Sequence, residues 1–362
     1  MKYGIITHYD VHNHGAILQM NALIKVLKKD FDIDAQALQF DKSYDFMGRQ
    51  WKAKYELSIK SIGIYIKYLI ERGLSIFLFN IKKKFLFESF KAKENLIGEF
   101  YAEAKNLNAV IIGSDEVFAL HTGPTPVMFG HALPTDKVFA YAGCFGPTKI
   151  KDIKKLHCEA FVASGLASMK GLSMRDQNSI EIAKELTGKN AKLVVDPVIL
   201  YGYEGELAKL DDPRLPKYLL VYAYETRMND PEETRQIIKY AHCHGLKVIC
   251  PGFYHKWADI NINVDPVELL RYFKYADCVV TDTFHGCVMS IITGRELAVK
   301  LRDNGNKLLN LLQEYGLIDR IIDDNWDLET IFAKKQNNEL VIKEVSRRRA
   351  ESMAYLKEMI EL

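Results

Sequence analysis

None of the six cysteines (Cys144, Cys158, Cys243, Cys250, Cys278 and Cys287) forms a CxxC pair, which argues against a zinc ribbon and against a secreted disulfide framework. Reduced, mostly buried thiols are expected. No stretch of about 18 uncharged apolar residues occurs, and the opening MKYGIITHYD lacks a cleavable apolar segment, so a cytoplasmic protein without spanning helices is expected. The net charge is only +2 over 362 residues, which gives no reason to expect nucleic acid as a partner. Low-complexity tracts and internal repeats are also missing.

What is present is a chain long enough for two separate cores. Apolar strands are predicted at 3–7, 109–112, 138–141, 172–174 and 193–195, with helical stretches between most of them, which indicates a parallel α/β sheet. The pattern pauses at the proline-bearing LAKLDDPRLPK and restarts with a strand at 218–224, a helix at 231–244 and a strand at 247–250. The reading is α/β with two Rossmann-type parallel-sheet domains, residues 1–210 and 216–335. A long helix over 338–362 is expected to lie back across the first domain.

The stretch VVTDTFHGCVMS, residues 279–290, runs from a β-branched strand into an apolar helix. It places Asp282, Thr283, His285 and Gly286 at the carboxyl end of a strand, where ligands of parallel sheets collect and a helix presents free N–H groups to an anion. A similar junction follows the first strand, where His8, Asp10, His12, Asn13 and His14 precede a helix opening on Gly15-Ala16. Three histidines there invite a metal, yet a glycine at a helix start equally fits close approach of a ligand, and a solvated loop is the remaining reading. His242-Cys243-His244 closes another helix, and adjacent positions point in different directions, so no metal site is expected. Residues 49–93 carry eleven Lys or Arg against three Glu, a balance of 11 − 3 = +8, interleaved with aromatics. This segment is either an anionic-membrane contact at the inner face of the cell membrane or a helical insertion packing its aromatics on the first domain with solvated lysines.

Six blocks in order, GIITHYDVHNHGAILQMNAL, VIIGSDEVF, YAGCFG, LSMRDQNS, VVDPVIL and DPVELLRYFKYADCVVTDTFHGCVMSI, resemble the bacterial polysaccharide pyruvyl transferase family over residues 1 to about 320. The resemblance implies a GT-B-like fold with two Rossmann-type domains facing a central cleft. It implies transfer of pyruvate from phosphoenolpyruvate onto two hydroxyls of a glycan sugar, as a cyclic ketal, in exopolysaccharide, capsule or cell-wall biosynthesis. The donor is a substrate, and no cofactor or metal is implied. The acceptor would be a glycan or a lipid- or nucleotide-linked sugar.

Such chemistry needs cationic or N–H donors for the phosphate and carboxylate, and an acid to protonate C3. An imidazole titrates near neutral pH, and His285 fits as that acid or as a phosphate donor. Arg175 matches the family's arginine for phosphoenolpyruvate; the alternative is a surface Arg paired with Asp176 or a neighbouring carboxylate. Asp115 could accept the proton of an attacking hydroxyl or cap the following segment, with Ser114 beside it. Asn13, His14 and Gly15 match the first loop, on the acceptor side. Some members carry an Arg two positions before the late histidine, where this chain has Thr283, so Lys300 and Arg302 are candidates for the anion charge. Cys144 stands where serine is more usual. Two other functions fit the same architecture: a glycosyltransferase using a nucleotide sugar, with Glu268 as a formal ribose contact, and an inactive glycan-binding relative.

Overall fold

The computed structural model describes residues 1–41, 44–46, 49–51, 63, 69–70, 72–122, 125–302 and 305–362. Strands such as AVII and VFAYAG are buried along their whole length, so helices must cover both faces, which selects parallel βαβ construction. The first sheet comprises β1 (Lys2–Ile6), β2 (Asp34–Gln39), β3 (Ile97–Phe100), β4 (Ala109–Ile112), β5 (Val138–Gly143), β6 (Gly171–Met174) and β7 (Lys192–Leu193). Its spatial order is β3-β2-β1-β4-β5-β6-β7, with every pair parallel. The second sheet comprises β8 (Tyr218–Tyr222), β9 (Lys247–Pro251), β10 (Ile260–Ile262), β11 (Cys278–Thr281) and β12 (Leu297–Val299), in the parallel order β10-β9-β8-β11-β12. In each sheet the winding reverses beside its first strand, which opens a crevice at β1/β4 and another at β8/β11.

The helices that position the site are α1 (His14–Phe31), α2 (Leu74–Lys93), α3 (Gln177–Thr187), α4 (Pro197–Tyr201), α5 (Pro231–Cys243), α6 (Phe284–Thr293), α7 (Asn306–Glu314) and α8 (Asn338–Glu361). Their starts are set by side-chain caps: Asn13 for α1, Asp176 for α3, Asp196 for α4, Asp230 for α5 and Thr283 for α6. Helix α8 returns to the first domain, where Ser352 Oγ accepts from the Val195 N–H at 3.0 Å and Arg349 donates to the Ile199 carbonyl.

The basic aromatic segment meets the expectation of a helical insertion in part. Of its members, Tyr55, Tyr65, Tyr68 and the cations at 52, 54, 60 and 67 lie outside the described residues. Helix α2 buries Phe87 and Phe90 against Ile17, Met20 and Ala37 of the first domain. It also grips the second domain: Asn263 donates to the Phe79 carbonyl at 2.7 Å, Asn80 donates to Glu225 at 2.9 Å, and Phe79 meets Tyr254 edge-on. The lysines are not all solvated, because Lys83 and Lys91 are buried. Helix α2 is a strap across both domains.

Lys83 Nζ lies 3.9 Å from the centre of the Phe253 ring and 5.6 Å from that of Phe87. Burial pushes its ammonium down to about 7, against a smaller opposing pull from Glu225. An unfolded lysine keeps its proton up to the ordinary value of 10.5. Between the two values the unfolded chain binds more protons, so this group makes stability rise with pH across that window. Lys83→Met is therefore expected to raise stability by ~1–3 kcal/mol below about pH 7, with the gain shrinking towards about pH 10. Urea midpoints measured across that range check it.

Candidate active site at the domain seam

Both crevices open onto the same seam. From the first domain, Ser114 and Asp115 follow β4, Arg175 follows β6, and Asp196 precedes α4. Asp115 adopts a left-handed backbone (φ 77°) and bridges to Gly143, beside a register shift between β5 and β6 that re-aims the chain ends. From the second domain come Phe284 and His285 in the first turn of α6, and Lys307 in the first turn of α7.

Arg175 organises the cluster. Its guanidinium donates to Asp196 Oδ2 at 2.9 Å through one terminal nitrogen and to Asp115 Oδ1 at 3.0 Å through the other. Its partner is thus not Asp176, which instead accepts from the Ser179 N–H and hydroxyl at the start of α3. Ser114 Oγ donates to Asp196 Oδ2 at 3.2 Å, and His285 Nε2 stands 3.7 Å from that same oxygen. The Phe284 ring lies under the guanidinium, 4.4 Å from its central carbon. Lys307 pairs with Glu116 across the seam.

The electrostatics follow from burial and proximity. Burial alone would raise the Asp115 and Asp196 carboxyls, but it is outweighed. Arg175, His285, His8 and Lys307 hold Asp115 well below the usual range, and His285 and Arg175 hold Asp196 below it. Both carboxylates are ionised at neutral pH. Two buried nitrogens in this cluster find no hydrogen-bond partner among the described residues: Arg175 Nε and His285 Nε2. A buried N–H without an acceptor costs about 1–3 kcal/mol, which marks the place where an anion would be welcome.

The first loop meets the same histidine. A Cβ on Gly15 would lie 2.2 Å from His285 Cγ, so only glycine permits this approach. Asn13 caps α1 through its side-chain oxygen and donates its amide to Tyr224 Oη at 2.9 Å. His14 is a seam residue: it is buried, its Nε2 is 3.0 Å from the Val264 carbonyl oxygen, and it packs edge-on against Phe87 and Phe253. Burial and the nearby Lys83 push its imidazole well down, so it is neutral. Thr283 accepts from the Gly286 N–H, and a Cβ on Gly286 would strike Thr281 Oγ1 at 2.1 Å.

Three of the sequence-derived candidates stand apart from this cluster. Asp282 accepts from Arg302 Nε at 3.0 Å, and Arg302 forks onto Glu233 of α5 at 2.6 and 3.0 Å. Lys300 turns to the Asp323 carbonyl and to Asp324. The residues that sequence reasoning left without a role are Asp196, Lys307 and Glu116. Asp196 lies inside the VVDPVIL block and reads as a helix cap before proline, which hides its second task; nothing near Lys307 in the sequence marks it.

The family model for polysaccharide pyruvyl transferase matches residues 13–299. The chain belongs to the polysaccharide pyruvyl transferase family. The match spans every residue of the Arg175 cluster except Lys307. By family, this pyruvyl transferase chain is a transferase. Among solved structures, it is similar to the UDP-N-acetylglucosamine 2-epimerase of Rickettsia bellii at 10% identity and TM-score 0.53, covering 99% of this chain and 95% of that one. It is similar also to the UDP-GlcNAc 2-epimerase of Neisseria meningitidis bound to UDP-GlcNAc, at 9% identity and TM-score 0.51, covering 99% of each chain. At these identities the likeness carries the GT-B fold and nothing finer. No curated protein matches the chain.

Proposed function

We propose that this pyruvyl transferase takes its pyruvate from phosphoenolpyruvate and forms a cyclic ketal across two hydroxyls of a glycan sugar, free or lipid- or nucleotide-linked. The observation that carries the donor assignment is the pair of unpartnered buried nitrogens, Arg175 Nε and His285 Nε2, on groups that converge on Asp196. An anionic donor supplies the acceptor oxygens they lack.

In this reading His285 delivers a proton to C3 of the enolpyruvyl group, the double bond becomes a methyl group, and C2 gains oxocarbenium character. One sugar hydroxyl adds to C2 and gives up its proton to Asp115, whose carboxylate stands 3.0 Å from the Arg175 guanidinium. The second hydroxyl then attacks C2 and returns a proton to His285, the C2–O bond to phosphate breaks, and phosphate, taking up the proton held on Asp115, leaves as the anion that Arg175 and Lys307 stabilise. Asp196 positions both His285 and Arg175. Because His285, Arg175 and Asp196 are all buried, the two domains must part at the seam to admit substrates.

The test is calorimetric titration of phosphoenolpyruvate, with a panel of nucleotide sugars alongside, into wild type and Arg175→Lys. The lysine keeps one positive charge between the carboxylates but removes the fork. Binding of phosphoenolpyruvate by wild type, weakened about tenfold or more in the variant, is the expected result. Binding of a nucleotide sugar alone would make the protein a glycosyltransferase on the same fold.

A further inference from the structure

Helix α2 is apolar on two faces. Its inner face straps the domains together, as described. Its outer face carries Leu74, Leu78, Ile81 and Phe85, which are 61%, 54%, 39% and 69% exposed. At 3.6 residues per turn these four fall within about 40° of one line and run for about 16 Å along the helix. Lys82 and Lys84, both exposed, fall about 80° to either side of that line. The only acidic residue of α2, Glu88, is neutralised by Lys91 at 2.8 Å.

A surface helix ordinarily turns polar residues to water, so an outward leucine-to-phenylalanine ridge needs a partner. We infer that this ridge is a docking surface for an anionic lipid bilayer, with the four apolar side chains entering the headgroup and acyl boundary and the two flanking lysines reaching lipid phosphates. Charge decides between a bilayer and a second copy of the chain. Two such ridges packed together would set Lys82 and Lys84 of one against those of the other, whereas a layer of anionic headgroups meets both. No described helix is long and apolar enough to cross a membrane, so the contact is interfacial. The inner face of the same helix touches His14 through Phe87, one residue from the glycine that abuts His285, so an adsorbed α2 would hold the seam near the bilayer surface.

The experiment is co-sedimentation of the full chain with sucrose-loaded vesicles of phosphatidylcholine, with and without phosphatidylglycerol. Wild type is expected to sediment with the phosphatidylglycerol vesicles. Leu78→Ser/Phe85→Ser should lower the partition coefficient by at least about tenfold, and Lys82→Glu/Lys84→Glu should remove the preference for phosphatidylglycerol. All four positions are exposed, so unchanged melting temperatures are expected and separate this effect from misfolding. Failure of wild type to bind, or binding indifferent to the serine pair, would overturn the inference. So would a wild-type dimer in light scattering that the serine pair disperses, since the ridge would then belong to a second copy. The readout uses no substrate, so it stands or falls separately from the donor assignment.

Discussion

Arg175→Ala is expected to destabilise the protein by about 3–5 kcal/mol at neutral pH, because it strands the buried Asp196 and the part-buried Asp115 carboxylates without their counter-charge. In the wild type, Asp115 and Asp196 are held below the ordinary carboxyl value of 3.8. Groups depressed in this way contribute stability that is present above the unfolded value and lost as pH falls through the folded one. Removing the guanidinium leaves burial as the largest influence, which raises both carboxyls, so the variant becomes less stable as pH rises. The gap between variant and wild type should therefore be widest near neutrality and narrow below about pH 4. Urea unfolding at both pH values checks this, and Arg175→Ala/Asp196→Asn should recover at least about 1 kcal/mol at neutral pH. An equal loss at both pH values would mean that packing against Phe284, not charge, is what Arg175 supplies.

His285→Gln is expected to lower kcat in the proposed reaction by about 10²- to 10⁴-fold while changing KM for phosphoenolpyruvate by less than about tenfold. That division separates a proton donor from a phosphate ligand, whose loss would raise KM instead. Asp196→Asn keeps the shape of the cap and removes the charge beside the imidazole. It should lower kcat by about ten- to a hundredfold and shift the alkaline limb of the rate profile to lower pH, because the protonated form of the acid loses a nearby anion. A steady-state assay of phosphate release across pH measures both. An unshifted profile would leave Asp196 with the capping role alone.

The parts of the fold legible in the chain are those whose physics is local. Strands β1, β4, β5, β8, β9 and β11 are apolar throughout or nearly so, and the runs of residues alone mark them. Strands β2, β3 and β10, the last two at sheet edges, went unmarked, because DAQALQ, IGEF and INI mix polar residues on faces that water partly reaches. The caps Asn13 and Thr283 and the glycines beside them also follow from local rules. So does the placing of His285 at a strand-to-helix turn.

The chain by itself therefore determined two parallel α/β domains, the family, and His285, Arg175, Asp115 and Gly15 as residues worth watching. Only the tertiary structure decided which of them meet. Arg175 and Asp196 are 21 positions apart, and Lys307 is 191 from Glu116, yet both pairs close across loops and domains. It also decided that Arg302 and Lys300 are occupied by other acceptors, that Lys83 is buried, and that the outward face of α2 is apolar. The reason is that periodicity reports only how a segment divides its own faces. Which surface covers a given face depends on where the rest of the chain has packed, and residue spacing along one element carries no record of that.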